Sequence, residues 1–357
     1  MRAVHFIKKF PFIALVAVIL LLTMLPVAET FFVVGDKWQG FPPTFTDETF
    51  YYAHVQNIAE GYYNDGNPYF FEHRNDAPAV IFGGAWIDAV PLVLGVPFNA
   101  AMMLNFVVWS LVFAALYFAL FREFSVQPWT AVAATVFVYV QSYSHIFRPA
   151  NLQTVWPVFV LFYIALARLL KRQSRADIIV LGLAAGASFY LFAYLWQIVV
   201  VTLGLLALYA LSCKNWPLLK AALLSSLIGG VVGLPVPLYT LWLSRSSPYF
   251  WEVMGRFGLV HTHLPMAEII YSGGWIGIVL ALLAALYWKS KPLRADGEFL
   301  WLCAFVAISG TALWIMQGGN LITGVLLETG EHVRTFIISW LSFSTVLAGV
   351  YIYKNRK

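Results

Sequence analysis

Apolar residues run through this chain in stretches too long for one face of a soluble helix. Near residues 10–28, 90–121, 129–146, 152–170, 178–192, 194–212, 217–243, 269–288, 299–317 and 334–353 almost every position is apolar. A helix needs about 20 such residues to cross the hydrocarbon of a bilayer. The pattern predicts an all-α polytopic membrane protein of about ten transmembrane helices. The stretch 178–212 is too long for one ordinary span and short for two. Its flanks are both basic, with Lys171, Arg172 and Arg175 before it and Lys214 and Lys220 after. Two short spans with a tight turn near Tyr194 return the chain to the side it left, and one span would not.

The polar positions between these runs are sorted by side. Of the 22 basic residues, all but Lys37, Arg74, Arg148, Arg245, Arg256 and Arg334 fall on one side. The other side holds 13 of the 17 acidic residues and six of the seven histidines. Basic loops stay cytoplasmic. Both termini are therefore expected in the cytoplasm of a multi-pass cell-membrane protein, with the polar chemistry facing the periplasm, the exterior or a lumen. Composition agrees: 11% of residues are charged, against about 25% in soluble proteins. The net charge of +5 resides in those short loops, so no nucleic-acid partner is expected. Cys213 and Cys303 suggest neither a disulfide framework nor a metal site. Met1 to Ala28 has the outline of a signal peptide. The weak cleavage signal at Pro26-Val27-Ala28 and the nine further runs favour an uncleaved first helix. The chain reads as one transmembrane domain over residues 1–357, without a glycine-rich phosphate loop.

The longest polar stretch is the first outer loop, residues 29–89. Within it Thr46 is a plausible N-cap and Gly61 a plausible stop. Phe50, Ala53, Asn57 and Glu60 share one helical spacing, and Asp47, Tyr51, His54 and Ile58 an adjacent one. A short helix at the membrane surface is expected. Asp47 and Glu48 then lie in its first turn, where the helix field favours negative charge. Two adjacent carboxylates can hold a divalent cation, or one can take a proton from a hydroxyl. Capping the helix alone is the plain alternative. Glu72 and His73 can meet an acceptor or form a solvated turn.

This arrangement resembles the GT-C superfamily of membrane glycosyltransferases, whose first outer loop carries an acidic motif near an interfacial helix. The matching residues are Asp47 and Glu48 in Phe45-Thr-Asp-Glu-Thr-Phe-Tyr-Tyr52. Two further stretches are similar to bacterial members, Gly182 to Trp196 and Gln317 to His332. The resemblance implies transfer of a hexosyl or pentosyl group from a polyprenyl phosphate or diphosphate to a glycan, lipid or protein acceptor on the outer face. It also implies that an acidic loop residue acts on the acceptor, and that some members need a divalent metal such as Mg or Mn. Asp47 is then the first choice as base, with Glu48 beside it, and the two are the candidate metal ligands. The large outer C-terminal domain of several relatives is missing, which puts a protein acceptor in doubt.

A leaving phosphate needs cationic groups where its charge grows. Arg256 with His261 or His263, in the loop before the eighth span, is the leading candidate clamp. Arg334 and His332 stand at the start of the last span. Gln317, Asn320, Glu328 and Glu331 form a polar run beside them, costly unless it lines a cavity or is paired internally. With Tyr51, His54, Glu72 and His73 they are candidates to line an acceptor site. A transporter or flippase of a lipid-linked or small polar substrate is the main alternative, marked by ionisable residues in mid-span. A non-catalytic scaffold of the same fold is the other.

Overall fold

The computed structural model describes residues 10–42, 48–64, 66–78, 80–142, 152–256, 260–265, 267–326 and 329–354. They are overwhelmingly helical, as lipid demands: a backbone without water must satisfy its hydrogen bonds within the segment. Eight helices among them are long and apolar enough to cross a membrane. The expected runs at 129–146 and 178–192 are helices of 14 and 17 residues, Pro128–Gln141 and Arg175–Leu191, and are not among the eight. Two other runs are broken. The apolar run 90–121 contains the end of Gly83–Val93 and most of Phe98–Glu123, interrupted by Gly95 at φ 89° and by Pro97. The run 217–243 divides into Trp216–Gly233 and Pro235–Ser246, because Pro235 brings no amide donor to continue the first helix.

One compact unit comprises Met1–Arg122, Gln127–Val160 and Tyr190–Phe192. It holds α1 (Pro11–Val34), α2 (Glu48–Ala59), α3 (Gly83–Val93), most of α4 (Phe98–Glu123), α5 (Pro128–Gln141) and the first half of α6 (Leu152–Arg172). The α1 helix packs on α5. Their seam is pinned by a 2.7 Å hydrogen bond between the Thr23 and Tyr139 hydroxyls. The α2 helix packs on α3, and Tyr52, Val55 and Ile58 share one apolar cluster with Ala85 and Ala89 of α3 and Met102 of α4. Small residues on α3 let the two backbones approach.

The second unit comprises Glu123–Val126, Leu161–Phe189 and Ala193–Lys357. After the rest of α6 come α7 (Arg175–Leu191), α8 (Ala193–Ser212), α9 (Trp216–Gly233), α10 (Pro235–Ser246) and α11 (Phe250–Arg256). A two-residue strand β1 (Val260–His261) follows, then α12 (Ala267–Lys289), α13 (Lys291–Ala295), α14 (Gly297–Gln317), α15 (Asn320–Thr323), β2 (Val325–Leu326) and α16 (Thr329–Lys354). The helices α12, α14 and α16 pack on one another. Trp340 of α16 lies over Gly310 of α14 and donates to the Ser309 hydroxyl at 2.8 Å.

The order of contacts between α7 and α9 fixes their direction. Ser225 donates to the Ile178 carbonyl at 3.0 Å, Gly182 meets Ile228, Gly186 meets Val232, and Phe189 meets Gly233. Both numbers rise together, so the helices are parallel. The connecting α8 also packs on α9 and must run the opposite way. The chain therefore reverses at Phe192, the one residue between α7 and α8. Across that turn Phe189 and Trp196 stack at 5.0 Å, whereas seven residues of continuous helix advance about 10.5 Å. At the far end of this unit Arg168 donates to Glu123 at 2.7 Å and Ser125 to Glu298 at 2.7 Å. Lys171 donates to the Glu123 carbonyl, and Lys354 reaches the Ser125 carbonyl at 3.4 Å. Four chain segments, each basic in sequence or next to one that is, thus share one end.

Candidate functional site

Glu48 opens α2 and is fully buried. Its neighbour Asp47 lies outside the described residues. The helix ends where the sequence places a stop: Gly61 sits at φ 95°, and the amides of Gly61 and Tyr62 close back on the carbonyls of Ile58 and Asn57. The following loop is tied to this end. Asn57 donates to the Arg74 carbonyl at 3.1 Å, and the Arg74 guanidinium pairs with Glu60 at 2.9 Å between the rings of Tyr62 and Phe71. Glu72 and His73 are exposed on the same loop, with His73 2.7 Å from Asp76. His54 is buried against Phe50 and Phe82, and Tyr51 packs on the same two rings.

One face of α2, carrying Thr49, Tyr52, Ala53 and Gln56, borders a cavity of about 730 Å³. Thr30 and Trp38 from the end of α1 and its following turn, Phe41, Pro42, and Phe98 of α4 complete the walls. The cavity begins one residue after Glu48. Behind this wall the hydroxyl of Tyr52 is held well above the ordinary phenol range, first by burial and then by the negative charges of Glu48 and Asp88. Both carboxylates are therefore near it.

Sequence reasoning counted Asp88 only as one more outer acid. It is fully buried on α3, a helix of 11 residues, too short to span. The Trp109 indole donates to its Oδ1 at 3.0 Å, and the Asn105 amide to its main-chain oxygen at 2.9 Å. Burial pushes its carboxyl up to about 7 against the lowering effect of the Trp109 bond. A signal was present: an acid within the apolar segment Gly-Gly-Ala-Trp-Ile-Asp-Ala-Val is expensive without a purpose.

In the second unit the structure joins two segments that are distant in sequence. Val260 and His261 pair antiparallel with Leu326 and Val325. The Asn320 amide donates to the carbonyls of Thr262 and Leu264, at 3.2 and 2.8 Å. His263 packs over Gly324, which lies at φ 69°, and its ring meets the Leu321 carbonyl at 3.2 Å. Gln317 is buried and donates to Ser272 at 3.3 Å. The knot thus gathers His261, His263, Gln317 and Asn320. His332 stacks on Tyr194 at 4.6 Å and Arg334 is exposed. Glu328 and the side chains of Arg256 and Glu331 lie outside the described residues. Replacing Asn320 with Ala strips the Thr262 and Leu264 carbonyls of their shared donor. It should cost about 0.5–1.5 kcal/mol for each lost bond and speed hydrogen exchange at the amides of residues 262–264, measured by mass spectrometry in detergent.

A second apolar cavity of about 420 Å³ lies between the stacked Phe189 and Trp196 and the α10–α11 residues Pro237, Thr240, Phe250, Trp251 and Met254. Among the described residues, no group of three or more His, Cys, Asp or Glu side chains is placed to hold a metal ion.

Comparison with protein-family models and with curated proteins finds no match.

Proposed function

We propose that this protein transfers a sugar from a polyprenyl-phosphate or diphosphate donor to an acceptor on the outer face of the membrane. The observation that carries the reading is Glu48: a buried acid in the first turn of a helix outside the spans, directly before Thr49 on the helix that helps wall a 730 Å³ cavity. Asp47 or Glu48 takes the proton from the acceptor hydroxyl as it attacks the anomeric carbon, and the phosphate leaves with the bonding pair. Carboxylate oxygens alone suit a hard cation, so Mg or Mn would bind at Asp47 and Glu48 and would polarise the leaving phosphate. His261, His263, His332, Arg256 and Arg334 are the groups proposed to meet the phosphate. The 420 Å³ apolar cavity has the lining a polyprenyl chain requires. Among the described residues the fully or nearly fully buried acids, Glu48, Asp88 and Asp177, lie outside or at the ends of the spans. This favours surface chemistry over a mid-membrane transport path.

The test is direct. Purified protein is incubated with a polyprenyl-phosphate-linked sugar and a lipid or glycan acceptor, with and without chelator, and the released polyprenyl phosphate is quantified. Absence of release across donors and acceptors defeats the reading.

The same reading sets ten spans with both termini cytoplasmic, α5 and α7 being the two short ones. The parallel course of α7 and α9 supports this. Single cysteines at positions 60 and 325 should label from outside intact cells, and those at 173, 216 and 293 only after permeabilisation. Outside labelling at 173 and 293 together would refute the topology.

A further inference from the structure

We propose that the acceptor of this transfer is an uncharged lipid alcohol, which enters the 730 Å³ cavity sideways from the outer leaflet and lays the chain next to its hydroxyl against the aromatic wall. The inference rests on the transfer reading above and names its acceptor class. Charge selects first. Among the described residues, none that lines the cavity is a cation or a carboxylate. Three donors on the wall are already engaged within the protein. The Thr30 hydroxyl donates to the Pro26 carbonyl at 2.8 Å, the Trp38 indole to the Phe41 carbonyl at 2.9 Å, and the Gln56 amide to Glu60 at 2.9 Å. A phosphate would find no cation there to repay the water it left behind. The charges that act on the Tyr52 wall are those of Glu48 and Asp88, both negative, and they repel an anion further. What the wall offers is ring surface. Phe41, Tyr52 and Phe98 pack on one another with centroids 5.1, 5.5 and 5.9 Å apart, and such surface gains by covering methylenes. The volume falls within the roughly 300–1,000 Å³ of sites that take small organic ligands.

The membrane supplies the direction of entry. Thr30 belongs to the spanning stretch Pro11–Lys37, so one wall of the cavity is the first span itself. The next residues of that helix, Phe31, Phe32 and Val33, are exposed, the last two to 82% and 80%. An apolar run left bare at the end of a spanning helix faces acyl chains. Phe31 also meets Trp38, a wall residue, with ring centroids 5.7 Å apart. The lipid-facing surface of α1 thus runs on into the cavity wall, and on the orientation proposed above this end of α1 is the outer one. A soluble saccharide would have to leave water for that surface, whereas a lipid alcohol already lies against it. Thr49, on the α2 part of the wall, directly follows Glu48, so a chain held in the cavity brings its hydroxyl toward the head of α2.

A long-chain alcohol carrying a diazirine near its hydroxyl tests this without turnover. With the full chain in phosphatidylcholine vesicles, light should attach the probe to peptides containing the wall residues of the α1 end, α2 and Phe98. Unlabelled alcohol should compete that label away, and the phosphorylated form of the same probe should leave these peptides unlabelled. Ala53→Trp puts an indole into the cavity from α2. It should cut the competable label about tenfold or more, as displacing two buried methylenes of the ligand would. Thr30→Trp fills the space from α1 and decides the matter if Ala53→Trp does not fold. Equal labelling by the phosphorylated probe overturns the inference. So does label that excess alcohol does not displace, competition by a water-soluble monosaccharide, or unchanged label in the folded variants. If the label behaves as expected but no donor yields transfer to a lipid alcohol, the transfer reading fails and the cavity stands as a lipid-alcohol site. If sugar is transferred and the label fails, the inference alone is overturned.

Discussion

Asp47→Asn should reduce sugar transfer by roughly 10²-fold or more, as the loss of a general base usually does. The folded protein should persist, because the position the sequence pattern expects for Asp47, at a helix start, makes an acid contribute only about 0.3–1 kcal/mol through the helix field. Glu48→Gln is the informative companion. Glu48 is buried at the head of α2, one turn before Tyr52, and the amide has nearly the same shape. If Glu48 only orients the acceptor, the effect should be milder than at Asp47. If it holds an essential metal, the effect should be nearly as severe and chelator should reproduce it in the wild type. Loss confined to Glu48→Gln reverses the two roles. Full turnover in the doubly substituted, folded protein would remove the pair from the chemistry and leave them as helix caps.

The largest effect on stability is expected at Gly83, the first residue of α3. A methyl group there would overlap the Tyr190 carbonyl oxygen, a backbone atom that cannot swing aside. Gly83→Ala should lower stability by about 1–3 kcal/mol, the usual cost of overpacking. It should also displace the start of α3, the helix on which α2 packs, so turnover should fall with Tm. Gly204→Ala in α8 is the control. Its added methyl meets nothing within 4 Å, and a helical Gly→Ala change should stabilise by roughly 0.5–1 kcal/mol. Equal Tm values for Gly83→Ala and the wild type in detergent would show that the two segments do not touch.

The helical membrane architecture was legible because lipid makes its demand residue by residue: a long apolar run is nearly sufficient evidence of a span. Breaks within such runs were harder to read. Pro235 and the Gly95–Pro97 pair each end a helix through backbone geometry, which hydropathy does not record. The reversal at Phe192 was expected near Tyr194 on charge alone. Its cause lies in the glycines of α7 and α9, whose close approach depends on a partner helix that the local sequence does not identify. At the candidate site, local reasoning reached α2 and its Gly61 terminus, with Glu48 at its head; Asp47 lies outside the described residues. That reasoning missed Asp88, whose burial arises from α2 and α4 packing on a third segment. It also had no means of joining His263 to Gly324, since a two-residue ladder leaves no periodic pattern.

The single-residue turn at Phe192 also bears on how the chain is made. On the ten-span reading proposed above, α7 and α8 have no polar linker between them and offer the membrane-insertion machinery no stretch at which to pause, so neither helix settles across the bilayer before the other has emerged from the ribosome. They should enter as a preformed hairpin. A charged insertion beside Phe192 would then act during biosynthesis, as misoriented chains cleared by proteolysis, before any loss of stability in the finished protein is felt.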